Sequence, residues 1–578
     1  MRIDRTVDIT ILMGDGILVS CLKHAVISRR KFLKRSSQAG VAIVATSAAL
    51  GATPPESVDP YTAVKTGPPG AGLRAQRSFE IRCDSAHADT CRENPSFATN
   101  GDEERYADKR ANFAKTLPHD ELGEVKLDSY AAWISILAGG DPGQFERIPR
   151  DPLAVAKLND PQATYAFDMV GIDSHATHLP PPPAFASAEM AVEMAELYWL
   201  ALTADVPFQN YEASPLITAA LSDLNAFSCP LGSSPAGKIT SGTLFRGETV
   251  GDLIGPYISQ FLWLDIPYGI KTIDQRYRFP RRNQHFLTDF AAWLACQRGA
   301  QSAAKLQFDS PPRYICSNHE IVEYVHQDFS FQAYVNAALI MLRLGGEVFS
   351  PTNPYRSSKT QFGDITFGNK NVLSLVAQAS LLGQKGAYYH KWLVHRRLRP
   401  ECFGGRIEVH LSGRKSYDIH PEILHCDGIA RVKATHGSWL LPGAYPEGCP
   451  THPSYPAAHA SNAGACATIL KAFFNEDYPL SNPVEATADG ANLVPWKGQP
   501  LTLGNEINKL AGNIALARDA AGVHYRSDSI NGLFVGEEQA LGLLCDYSRT
   551  YNERFDGFIL STFRGEKIRI LNGELKPV

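Results

Sequence analysis

Three short segments in the second half of the chain constrain the fold more than any other feature, because they carry residues that must meet to make sense. The first runs from Lys391 to Arg399 and Pro400. The second holds His452, Pro453, Ser454, Pro456 and His459, and the third holds Arg518, Gly522, His524 and Asp528. Together they supply three fixed cations (Lys391, Arg399 and Arg518), the imidazoles of His459 and His524, and a helix N-terminus, a set that suits a tetrahedral oxyanion. Lys391 and Arg399 are eight positions apart, about 80° on a regular helix. Pro400 pushes Arg399 out of the α region, so both cations reach one pocket at a helix end. Pro453 and Pro456 mark a rigid loop, after which the Ala-rich run Ala457 to Phe474 reads as a helix. Its first amides, at Ala458 and His459, point outward as anion donors at a positive dipole end. An unbroken helix would hold Arg518 and His524 about 120° apart, so Gly522 reads as the break that brings them together. His524 and Asp528, four apart, share one face of a turn.

Each segment alone has a plain structural explanation. Lys391 and its Arg neighbours could be a solvated helix end, His459 a capping or core imidazole, His524 with Asp528 a surface pair, and Arg518 a salt-bridge partner. The three segments in this order, with these internal spacings, speak against that reading. The triple K-x7-R-P, P-x-x-H and R-x5-H-x3-D resembles the signature of vanadium-dependent haloperoxidases and the related phosphatidate-phosphatase-type acid phosphatases. Asp160-Pro-Gln-Ala with Phe167-Asp168, Gly171 to His175 with Pro180 to Pro183, Phe245 to Pro256, and Ser350 to Tyr355 are similar to bacterial, cyanobacterial and red-algal bromoperoxidases. The similarity covers roughly Pro118 to Tyr551.

The resemblance implies vanadate(V) held by one bond from His524 and by hydrogen bonds from Lys391, Arg399, Arg518 and the N–H of Ala458. His459 would be the acid and base that takes a proton from hydrogen peroxide, and Lys391 would polarise a peroxide oxygen so that a halide attacks it. Vanadium would act as a Lewis acid, and no haem is required. The product would be hypohalous acid, which halogenates a small organic acceptor. Two departures stand out. The family motif reads P-S-G-H where this chain has Pro456-Ala457-Ala458-His459, and Ala517 precedes Arg518 where Ser is usual. The missing hydroxyl costs roughly 1.5–3 kcal/mol of anion binding, which weakens the site without abolishing it. For the halide, Tyr388 lies where related chloroperoxidases have Trp and algal bromoperoxidases a basic residue. His452 matches the bromoperoxidase type, and Ser454 lies where algal members commonly have Arg. Bromide is the expected halide, while Tyr388 and Ser454 could equally be packing and capping residues. The rival activity for the same oxyanion site is phosphomonoester hydrolysis, with His524 as nucleophile and His459 protonating the leaving group. A non-catalytic anion-binding or shell protein and a cofactor-free isomerase are further alternatives.

Over 578 residues the net charge is −4, which argues against general binding to nucleic acid or anionic membrane. Ser28-Arg29-Arg30-Lys31-Phe32-Leu33-Lys34 followed by the small apolar run Ala39 to Ala52 reads as a twin-arginine export signal, too short to span a bilayer. Cleavage is expected between Ala49 and Ala52, and the enzyme is expected in the periplasm or secreted. Of eleven cysteines, Cys83 and Cys91 are close enough for a local disulfide loop, and the rest read as buried thiols.

The expected organisation is a signal region at 1–52, a linker and mobile N-terminal arm at 53–117, an N-terminal helical bundle at 118–349, a C-terminal bundle with the vanadate site at 350–560, and a hairpin or tail at 561–578. Ser187 reads as the N-cap of a helix over Ala188 to Ala204, with helical periodicity again at Phe329 to Leu344 and Val372 to Leu398. Gly557 to Phe563 and Lys567 to Leu571 read as a β-hairpin. The fold class is mainly α, two packed helical bundles with a few short β-hairpins, and the resemblance implies a homo-oligomer.

Overall fold

The computed structural model describes residues 71–232 and 237–578. The twin-arginine segment and its expected cleavage site lie outside the described residues. The chain divides into two compact units at Cys91 and Arg92. In the first, Ala71–Cys91 is a continuous helix, with four Ala and three Arg, residues that favour helix. The helix gives this part of the expected linker and arm a regular conformation, and it excludes the Cys83–Cys91 loop. Eight residues of helix separate the two cysteines by about 12 Å, beyond the reach of a disulfide, and both thiols are free. In the second unit the end of the expected arm is packed: Phe113 and Leu117 are buried with Trp133 and Trp392 in an aromatic cluster.

Residues 92–578 are mainly helical, with three small antiparallel sheets. At the centre lies the Ala458–Phe473 helix, in which every residue except His459 is buried. Its run of Ala, Ser and Gly lets neighbours come close on every side. The Asn369–Tyr389, Leu503–Ala520 and Arg526–Ser548 helices pack around it. The approach is closest at Gly536, where a Cβ would lie 1.9 Å from the carbonyl oxygen of Ser461, so only glycine fits. Ser187 caps the Ala188–Thr203 helix by accepting from the Met190 N–H at 3.1 Å, as its position predicts.

The two largest hydrophobic clusters among the described residues form the main cores. One joins Phe261 and Tyr334 to Ile469 and Leu543, and the other joins Tyr198 and Trp199 to Phe403 and Ile423. Each takes residues from both sides of Ser350, so the sequence boundary drawn there runs through packed interior. The C-terminal hairpin forms between Phe558–Ser561 and Lys567–Leu571, with Phe558 opposite Ile570, and Glu574–Pro577 adds a third strand. Among the described residues no helix is long and apolar enough to cross a membrane.

Candidate active site

The site is built by interruptions of helices. The Asn369–Tyr389 helix widens into a π-helical turn over His390–His395, a form that often marks functional positions, and Arg396 then takes a left-handed conformation at φ 41°. The regular helix expected to run to Leu398 therefore stops early, and the 80° relation between Lys391 and Arg399 does not apply. Arg399 is extended (φ −82°, ψ 155°) ahead of the Pro400–Leu411 helix, the conformation that Pro400 demands. Gly522, at φ 73°, ends the Leu503–Ala520 helix and lets His524 turn back toward Arg399.

The three segments meet. Arg399 Nε donates to the His452 carbonyl at 2.8 Å and Nη1 to the Val523 carbonyl at 2.7 Å. Nη1 also lies 2.9 Å from His524 Nε2, and Nη2 lies 2.9 Å from His452 Nδ1. Lys391 Nζ donates to the carbonyls of Pro453 and Ser454 at 2.8 and 2.7 Å. His524 Nδ1 lies 2.9 Å from Asp528 Oδ2, which makes Nδ1 the protonated nitrogen and leaves a lone pair on Nε2. The same carboxylate accepts from the Ser454 hydroxyl, from the Tyr525 N–H at 3.1 Å and, through Oδ1, from Arg397 Nη1 at 2.7 Å. Ser454 thus binds Asp528 and caps no helix. Arg518 Nη1 donates to the Val325 carbonyl at 3.0 Å, with its guanidinium beside the Tyr445 ring. Tyr388 sits 5.3 Å, ring to ring, from His452. His459 Nε2 lies 3.1 Å from Asp328 Oδ1, and its side chain is 24% exposed. Ala457 leads into the first turn of its helix with no side-chain cap, its N–H donating to the Asp528 carbonyl at 2.9 Å.

The electrostatics are lopsided. Nearby buried cations face carboxylates: Lys115 with Glu401, Arg397 with Asp528 and Glu193, Arg526 with Glu196, Lys509 with Glu506. Among the described residues, Lys391, Arg399 and Arg518 are in no such pair. Burial, with the Arg399 charge beside it, holds the Lys391 ammonium well below its ordinary pKa. Burial and the charges of Arg399 and Lys391 push both His452 and His524 far down, so both imidazoles are neutral. Buried charges of one sign are costly unless compensated, and a bound oxyanion offsets their repulsion. Arg518 Nε is also buried without a protein partner, and the helix N–H groups following Ala457 have no intrahelical acceptors. One imidazole lone pair among three cations suits an anionic oxometalate, so the residues present fit vanadate.

Sequence reasoning missed Asp328, Arg397, Val325 and Tyr445. Asp328 follows the Asn318–Gln327 helix with no motif around it. Arg397 is one of three arginines within four positions, and only the backbone turn separates their duties.

Comparison with known proteins agrees with this geometry. A family model for the VCPO second helical-bundle domain matches residues 432–549. The chain is 34% identical over 592 residues to the vanadium-dependent bromoperoxidase of Corallina pilulifera, spanning 86% of this chain and 98% of that protein. It is 34% identical over 491 residues to the vanadium-dependent bromoperoxidase of Ascophyllum nodosum, spanning 80% and 87%. The solved structure of the homohexameric second vanadate-dependent bromoperoxidase of Ascophyllum nodosum shares the fold, with a TM-score of 0.82 at 24% identity, covering 90% of this chain and 98% of that one. At the identity and coverage of these relatives, the chain belongs to the vanadium-dependent bromoperoxidase family.

Proposed function

We propose that this chain is a vanadate-dependent haloperoxidase that oxidises bromide with hydrogen peroxide to hypobromous acid. The observation that carries the reading is that Arg399 Nη1 lies 2.9 Å from His524 Nε2, while Lys391 and Arg518, also buried and without carboxylate partners, bring their charges to bear on the same imidazole. His524 would bond vanadate through Nε2, oriented by Asp528. The three cations and the Ala458 N–H would hold the oxyanion by charge-assisted hydrogen bonds. When bound, vanadate supplies a Lewis-acidic metal that accepts peroxide without changing oxidation state. His459 takes a proton from incoming hydrogen peroxide, and Asp328 steadies the imidazolium that forms. Lys391 places a compact positive charge where electron density on oxygen must fall before a halide attacks.

The relatives named as bromoperoxidases support bromide over chloride. The hypobromous acid leaves to halogenate a small organic acceptor. The homohexameric relative supports a homo-oligomer, and the Arg29-Arg30 segment supports export of the folded enzyme by the twin-arginine route.

The test compares two assays on the purified chain after incubation with vanadate. Consumption of monochlorodimedone with bromide and peroxide is expected, with little hydrolysis of p-nitrophenyl phosphate. Hydrolysis without bromide oxidation would replace this reading by the phosphatase one.

A further inference from the structure

The end of the Asn318–Gln327 helix and its C-cap Asp328 reach the oxyanion site at successive positions. The Val325 carbonyl accepts from Arg518 Nη1 at 3.0 Å, and Asp328 Oδ1 lies 3.1 Å from His459 Nε2. Between them, His326 stacks on Tyr445 with ring centroids 3.8 Å apart and planes 13° from parallel. Tyr445 in turn supports Arg518, whose guanidinium carbon lies 5.7 Å from the ring centre and whose Nη1 lies 3.5 Å from the phenol oxygen. Arg518 therefore rests on a helix carbonyl and on an aromatic ring from a separate segment of the chain. Among the described residues no carboxylate pairs with it, and its Nε is buried without a protein partner. A long side chain held only by neutral groups keeps rotamer freedom, whereas its forked bonds to an oxyanion are strong only in the right geometry.

His326 joins the two segments. Its Nδ1 lies 3.0 Å from Glu323 Oε2, one turn back on its own helix, and its Nε2 lies 2.7 Å from Glu447 Oε1, two residues past Tyr445. A carboxylate at each ring nitrogen is satisfied only by the imidazolium, which donates from both. Burial lowers its pKa, but the hydrogen bonds to the two carboxylates outweigh that and lift it to about 9, so both bonds stand at neutral pH. The segment it grips runs on to His452, Pro453 and Ser454, whose carbonyls accept from Arg399 and Lys391. Resting on the vanadate-binding function proposed above, we infer that His326 is a positioning residue, which clasps the end of the Asn318–Gln327 helix to the Tyr445–Glu447 segment and thereby fixes where the Arg518 guanidinium meets the bound oxyanion. It acts through Tyr445 and Val325, not on the reacting atoms.

The experiment titrates the vanadate-free full chain and four variants with vanadate. His326→Leu loses the stack and both ion pairs, and vanadate is expected to bind about 10-fold more weakly, the low end for groups that orient the ligands of a metal. The Glu447 side chain is 58% exposed, so Glu447→Gln opens the clasp with little risk to folding, and a smaller loss of about 2- to 5-fold is expected. His326→Arg keeps a planar cation that stacks and reaches carboxylates, and its affinity is expected within about 2-fold of the unsubstituted chain. Gly536→Ala lowers stability away from the clasp and is expected to leave the affinity of the folded chain unchanged, which separates aim from general loosening. Unchanged affinity in either His326→Leu or Glu447→Gln, or a loss in His326→Arg as large as in His326→Leu, would overturn the clasp and leave the functional reading intact. Failure of the unsubstituted chain to bind vanadate would overturn that reading and this inference with it.

Discussion

Replacing Ala457 by serine returns one hydroxyl to the place where this chain departs from the family pattern. Ala457 is fully buried and extended (φ −72°, ψ 125°) as the N-cap of the Ala458–Phe473 helix, whose first turn it leaves without a side-chain acceptor. A serine hydroxyl there has one donor and two acceptor sites. It can accept a helix N–H and donate to a bound oxyanion at the same time, so the two gains do not compete. The cap is worth about 1 kcal/mol. The hydrogen bond to a charged group is worth roughly 1.5–3 kcal/mol, which converts to a vanadate affinity about 10- to 150-fold tighter. Calorimetric titration of the vanadate-free enzyme with vanadate measures this directly, with inorganic phosphate as a competitor that involves no turnover. A variant that gains thermal stability yet binds vanadate no better would refute the reasoning, because the anion would then not sit over the first turn of that helix.

Three further outcomes follow from the same geometry. Asp528→Asn removes the carboxylate that orients His524 and pairs with Arg397, and vanadate affinity measured by titration should fall about 10- to 100-fold, as for other lost partners of a metal-bound imidazole. Gly536→Ala drives a Cβ into the Ser461 carbonyl and should cost about 1–3 kcal/mol, read as a lower denaturant midpoint with the site residues unchanged. Burial lowers the pKa of His326, but hydrogen bonds to Glu323 and Glu447 outweigh it and lift it to about 9. The unfolded value is near 6.5, so the stability this charge contributes, at most roughly 3 kcal/mol, is complete below pH 6.5 and lost as pH rises through 9. Melting curves across that window should slope downward and flatten in His326→Ala.

The parts of the site that sequence reading reached are those set by covalent geometry over a few residues. Pro400 dictates the extended Arg399, Gly522 permits the left-handed turn before His524, and the small residues after Pro456 allow a helix buried on every side. The parts it missed depend on distant chain. Arg396, Arg397 and Arg399 are chemically equivalent in a sequence, and a regular helix would have sorted them by its 3.6-residue period. The π-helical turn and left-handed Arg396 break that period. Arg396 then turns outward to Glu103, Arg397 is neutralised by Asp528 and Glu193, and Arg399 alone points at His524 without a carboxylate. What marks the functional arginine is therefore the absence of an acid beside it among the described residues. Partners contributed from Glu103 and Glu193, hundreds of residues away, decide which cation remains free to bind an anion.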